Sequence, residues 1–210
     1  MVGNEINALR DAGKPVVAYL TDQSASGRAG YVGADNWVLG RTAAWFVAQT
    51  TARPGRVQVL VGNHRYQHEE LSEAGFRAYL RERATGLIVS DVRVMLDDSG
   101  EAHRIATELL AGDEDLVSVY AAGGCNSGLL MALREVPESR RRGLCIICRD
   151  TGPETRRVLA EGLITVGLSV PLEATTQQLI LTMLEAIRQS SPGAILRRTT
   201  PFEIVTPENP

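Results

Sequence analysis

A β-favouring apolar run followed by an amphipathic helical stretch recurs along almost the whole chain, and this alternation limits the fold more than any other feature. The runs lie at residues 15–20, 57–62, 87–96, 116–121, 144–148 and 163–168, and helical periodicity fills the gaps between them. Strands that alternate with helices pair mostly in parallel and carry helices on both faces of their sheet, so the expected class is α/β. A last short strand is expected at 202–205, and a long helix at 172–188 puts Leu179, Met183 and Ile187 in register. Phe76, Tyr79 and Leu80 share one face of the helix after the 57–62 run.

The stretch from Tyr31 to Phe46 is the focus of the chain. A short strand gives way at Asp35 and Asn36 to a helix that runs from Trp37 towards Gln49. Asp35 suits an N-cap, and Asn36 is left at the helix mouth with donors and an acceptor to offer. In open α/β sheets that mouth lies beyond the carboxyl end of a strand, where small ligands bind; the alternative is a plain helix cap.

At 210 residues with 44% hydrophobic and 22% charged composition, the chain can bury a sizeable core and is not disordered. A net charge of −3 gives no general attraction to nucleic acid or acidic lipid. The N-terminus lacks a basic start followed by an apolar core, and no apolar run approaches bilayer length, so no membrane partner and a cytoplasmic location are expected. Three cysteines, an odd number, suit a reducing compartment. Cys145 and Cys148 form a CxxC, but inside an apolar run and without a second ligand pair, and His64, His68 and His103 form no HxxxH or HxH. No cofactor or metal is therefore expected.

Ser24 and Ser26 lie outside any GxSxG elbow, and Cys125 has no histidine near it in sequence, so no enzymatic role is expected. The glycine-rich turn at 123–128 lacks both the GKS/T ending and the GxGxxG spacing of phosphate loops, and reads as a place where backbone approaches a ligand. Trp37, Tyr19 and Tyr66 could stack on a sugar ring, whereas Trp45 and Phe46 read as core. The first thirty residues supply only one helix and one strand, too little for a sheet to bury both faces. Either another chain completes this half, or more sequence precedes Met1; the second is favoured, because the chain begins in mid-unit.

Gly13-Lys14-Pro15-Val16-Val17, Tyr31-Val32-Gly33-Ala34-Asp35-Asn36, Gly40-Arg41-Thr42-Ala43-Ala44, Gly75-Phe76, the segment around Val117–Tyr120 and Asn126, and the run from Arg156 to Leu163 together resemble the effector-binding region of LacI-family transcription regulators. That region is shared with periplasmic sugar-binding proteins of the ribose type. The resemblance implies two Rossmann-like lobes joined by three crossovers, a type I periplasmic-binding-protein-like fold with the first lobe incomplete. Residues 1–32 with 170–198 would be the remnant of the N-terminal lobe, and 33–169 with 199–210 the C-terminal lobe. It further implies a small-molecule effector, a sugar or related metabolite, that modulates DNA binding by an absent helix-turn-helix, and a homodimer. The alternative is a sugar-binding receptor of a transport system.

Carried over residue by residue, the resemblance puts Asp22 near the end of a strand where the family often has an acidic or polar ligand contact, Asp35 with Asn36 on the next such contact, and Asp150 where the family has a carboxylate on ligand hydroxyls. It puts Glu70 where sugar binders have an arginine, Cys125 or Asn126 where they have an asparagine, and Ser169 in place of a frequent glutamine. Asp22, Asp35, Glu70 and Asp150 together would make a strongly acidic site, suited to a polyol, an amine or a neutral sugar.

Overall fold

The computed structural model describes residues 2–112, 114–124, 126–149, 151–189 and 194–210. In chain order the elements are α1 (Gly3–Asp11), β1 (Val17–Tyr19), β2 (Gly30–Ala34), α2 (Asn36–Thr50), β3 (Gly55–Val61), α3 (Gln67–Arg83), β4 (Leu87–Val89), β5 (Arg93–Val94) and α4 (Ser99–Gly112). They continue with β6 (Leu116–Ala121), α5 (Asn126–Glu135), α6 (Glu138–Arg141), β7 (Cys145–Arg149), α7 (Pro153–Ala160), β8 (Val166–Ser169), α8 (Leu172–Arg188), β9 (Leu196–Thr200) and β10 (Glu203–Val205). The fold is α/β, and among the described residues every strand pair is parallel except β8 with β10.

The chain divides into two compact units. One comprises Met1–Asp35, Tyr66–His68 and Val170–Phe202; the other comprises Asn36–Arg65, Glu69–Ser169 and Glu203–Pro210. In the first unit the sheet has three strands in the order β1-β2-β9, with β2 buried at every residue. Strand β1 stops short of the expected 15–20 because Leu20 takes a left-handed φ of 63°. The Tyr31 hydroxyl holds this bend, reaching the carbonyl oxygens of Leu20 and Ala34 at 3.2 and 3.1 Å. Helix α8 packs on the sheet through Thr175, Thr182 and Ala186. Met183 and Ile187, expected in register with Leu179, are instead exposed. The loop read at 190–193 lies outside the described residues.

The second unit holds a seven-stranded sheet with the path β10-β8-β7-β6-β3-β4, and β5 also pairs with β3. Strands β6 and β7 are buried throughout, so their sequences are apolar on both faces, with Ser118 and the terminal Arg149 as the polar exceptions, rather than alternating. Val119 and Ala121 join Ile105, Leu109, Leu129 and Leu133 in one core. Tyr120, pointing to the other face of β6, stacks on Phe76 of α3 with ring centroids 4.9 Å apart.

Glycines set the crossing of α2 and α3. A Cβ on Gly40 would sit 1.8 Å from the Ser72 carbonyl oxygen, and one on Gly75 would sit 2.3 Å from that of Trp37. The two backbones therefore touch where only glycine leaves room.

Two expectations fail here. The single strand at 87–96 is broken into β4 and β5, because side chains take over the bonding at the break. Arg77 donates to the Val89 and Ser90 carbonyls, and Gln58 Nε2 to that of Asp91 at 2.7 Å. Trp45, expected in the core, is 46% exposed and meets Phe46 edge-on; the inward stripe of α2 is Leu39, Ala43 and Val47.

Candidate functional site

In the second unit, the carboxyl ends of β3, β6, β7 and β8 gather the polar side chains that the strands themselves exclude. Ligands bind at this end of open parallel sheets. Arg149 is the last residue of β7 and only 3% exposed. Its Nη2 donates to Oδ1 of Asn36, the first residue of α2, over 2.8 Å. Asn36 is itself buried. Asn126, which opens α5, donates from Nδ2 to the Arg149 carbonyl oxygen at 2.6 Å. Helix starts after β2 and β6 are thereby fastened to the end of β7.

Glu69 forms the base of the same end. Its carboxylate is buried and accepts from the backbone N–H groups of Gly62 at 2.6 Å and Asn63 at 3.2 Å, closing the turn after β3. A Cβ on Gly123 would lie 2.5 Å from Glu69 Oε1, which is why the turn after β6 needs a glycine there. Burial pushes the Glu69 carboxyl above its ordinary range, against the opposing pull of the Asn63 and Gly62 N–H donors; Asp97 adds to the rise and Arg149 reduces it.

Within the first unit, Asp22 is buried and neutralised. Arg28 Nε lies 2.8 Å from Oδ1 and Arg197 Nη1 3.5 Å from Oδ2, and the Gln23 N–H donates to Oδ1. Arg197 in turn covers the Tyr31 ring, 5.1 Å from its centroid. Tyr19, a stacking candidate, shares a hydrogen bond with Thr176.

Of the other residues singled out in the sequence, Asp35 and Glu70 are exposed, and Ser169 is half-buried at the end of β8, paired with Glu203 of β10. Cys125 and Asp150 lie outside the described residues. Trp37 is 41% exposed, and Tyr66 packs against His68 in a tilted pair. The structure brings Asn36 and Asn126 together through Arg149, while Asp22 belongs to the other unit.

Arg149 and Glu69 were not anticipated. Extending the buried face of α3 backwards from Leu80 and Phe76 reaches Ser72 and Glu69, so periodicity does single out Glu69 over Glu70. The only signal at Arg149 is a charge ending the apolar run that began at Leu144.

Burial raises both strand thiols, Cys148 to about 12, so neither supplies a thiolate nucleophile. Among the described residues no group of three His, Cys, Asp or Glu side chains could hold a metal ion, and no helix is long and apolar enough to cross a membrane.

Residues 2–189 match the family described as periplasmic binding protein domain. No curated protein matches the chain. Among solved structures it is similar to GanP, a glucose-galactose binding protein from Geobacillus stearothermophilus, with 23% identity and a TM-score of 0.85 over 97% of this chain and 71% of that one. It is similar to an ABC transporter solute-binding protein from Burkholderia graminis in complex with D-arabinose, at 19% identity and a TM-score of 0.89 over 99% and 72%. A sugar-binding protein of a sugar ABC transporter from Bacillus halodurans shares 24% identity, with a TM-score of 0.82 over 99% and 74%.

The fold expected from the sequence, type I periplasmic-binding-protein-like, is the one these matches support. The LacI-regulator reading is corrected, and with it operator DNA and the cytoplasmic location, because the chain matches a periplasmic binding protein domain and the similar structures are described as a glucose-galactose binding protein and as binding proteins of ABC transporters, not as regulators. Motifs such as Gly40 and Gly75 misled for a physical reason. They specify how α2 and α3 pack, and that packing belongs to a region shared by regulators and receptors.

Proposed function

The chain belongs to the periplasmic binding protein domain family, and from that premise we propose that it is an extracytoplasmic receptor for a neutral hydroxylated molecule, a sugar or polyol, serving a transport system. It binds its ligand without altering it. The observation that carries this reading is the buried Arg149–Asn36 pair at the carboxyl ends of the parallel strands. A guanidinium offers a rigid fork of N–H donors, and a carboxamide both donates and accepts; oriented by each other, they suit vicinal hydroxyl oxygens, which need both kinds of partner.

The charge at this face also supports a neutral guest. The buried carboxylate of Glu69 is offset there by the positive charge of Arg149. The matched proteins from Burkholderia graminis and Geobacillus stearothermophilus are described with D-arabinose and as glucose-galactose binding, which places pentoses and hexoses first in the ligand panel.

The test is a thermal-shift screen of the chain against aldoses, ketoses, polyols and, as contrasts, sugar acids and amino acids. A ligand present at ~100 times its Kd adds about 2.7 kcal/mol to stability, which is a clear rise in Tm. Stabilisation by sugars or polyols supports the reading; stabilisation confined to the charged contrasts overturns it.

A further inference from the structure

Three consecutive arginines, Arg140 to Arg142, run through the end of α6 and lead towards β7 at the amino end of the seven-stranded sheet. The fold accounts for Arg141. Its Nη1 donates to the carbonyl oxygens of Leu133 at 2.9 Å and Val136 at 3.3 Å, where α5 ends and its last carbonyls need donors. Its two neighbours have no such duty. Among the described residues Arg140 has no side-chain partner, and Arg142 has only an exposed ion pair with Glu138 at 2.9 Å, a contact of little energetic weight.

Both line a cleft of about 360 Å³ together with Arg53, which lies in the turn between α2 and β3. Arg53 Nη2 is 2.5 Å from the Glu114 carbonyl oxygen, ahead of β6. That bond anchors one corner of the guanidinium and leaves Nη1 and Nε unbonded to any described residue. The Ser139 hydroxyl lines the cleft as a further donor. Glu114 also contributes a carboxylate, which pairs with none of the three arginines, so the described lining keeps an excess of two positive charges.

We propose that this cleft binds a phosphate group, free or on a lipid headgroup, at a second site on the opposite end of the sheet from Arg149. Strand β6 has six residues, so the two ends stand about 20 Å apart. Guanidinium forks match phosphate oxygens two at a time. A tetrahedral dianion engages forks supplied by separate chain segments and neutralises the excess charge, whereas a planar carboxylate brings one charge and one bidentate edge. The volume lies in the ~300–1,000 Å³ range of small-ligand sites.

Isothermal titration of inorganic phosphate at constant ionic strength, with acetate as the contrast, tests the free source, and flotation with vesicles containing phosphatidic acid tests the lipid. No sugar enters either measurement, so failure here leaves the receptor reading standing. One-site phosphate binding without acetate binding is expected, weakened about tenfold in Arg140→Gln and in Arg53→Gln. Arg81→Gln, at an exposed position on α3 outside the cleft, should leave it unchanged. Arg140→Gln removes no side-chain contact among the described residues, and its circular dichroism and melting should match wild type. Vesicle binding that needs Arg140, without a response to free phosphate, supports the proposal with the lipid as the source. Absence of both, equal affinity for acetate, or phosphate binding undiminished in Arg140→Gln and Arg53→Gln overturns it.

Discussion

Arg149 and Asn36 lie 113 residues apart in sequence, yet meet through a 2.8 Å hydrogen bond between buried side chains. A guanidinium so enclosed requires acceptors, because an unsatisfied charged donor costs more than a neutral one. Asn36→Leu should therefore destabilise the chain by about 2 kcal/mol, read as a lower urea midpoint with an unchanged slope. Asn36→Asp should recover most of that loss at neutral pH. A midpoint for Asn36→Leu equal to wild type would show that the bond contributes nothing.

The pH dependence of Glu69 has a definite sign. Burial, the main cause of its shift, raises the folded-state pKa, so the folded chain holds this proton more tightly than the unfolded one. Its contribution is full below the ordinary glutamate pKa and is lost as pH climbs through the raised value. Glu69→Gln abolishes that titration and keeps a carbonyl oxygen for the turn after β3. Melts of both proteins from about pH 4 to about pH 7.5 should show wild-type Tm minus variant Tm falling as pH rises; a difference that grows with pH contradicts the assignment.

At the α2–α3 crossing, the obstruction met by a Cβ at Gly40 or Gly75 is backbone, which cannot swing aside. Gly40→Ala should cost about 3 kcal/mol, the upper end of overpacking penalties. Gly75→Ala in addition should cost less than it does alone, since the helices have already moved apart. Strict additivity in urea unfolding would mean that the two sites do not share one gap.

Cys145 and Cys148 stand three positions apart on β7, so their side chains leave opposite faces of the sheet. Both are buried and their thiols are raised. In a Cys125→Ser background neither should react with a disulfide reagent until the chain is unfolded, when both should. Rapid native labelling of either would show β7 opening locally.

Much of the fold was legible because alternation of strand and helix is a long-range pattern that single residues cannot disguise. What periodicity cannot convey is which side of a helix meets the sheet. The bounds of α8 agree with its sequence, yet the line of Met183 and Ile187 faces outward, because Thr175, Thr182 and Ala186 allow a closer approach to β2. Trp45 escaped for the same reason. At the candidate site, the transition after β2 marked Asn36 at the mouth of α2, where it stands. Arg149 gave little warning, since a charge ending an apolar strand ordinarily points to water, and only the fold turns it back towards Asn36. The regulator and receptor readings could not be separated by motifs whose role is packing.

The central claim is that the Arg149 end of the sheet receives a hydroxylated guest, and it is tested most directly by isothermal titration of the most stabilising sugar into wild type and Arg149→Lys. Lysine keeps the charge but loses the fork. The expected result is one-site binding to wild type, weakened at least about tenfold in Arg149→Lys, with circular dichroism unchanged. Equal affinity in the two correctly folded proteins would contradict it.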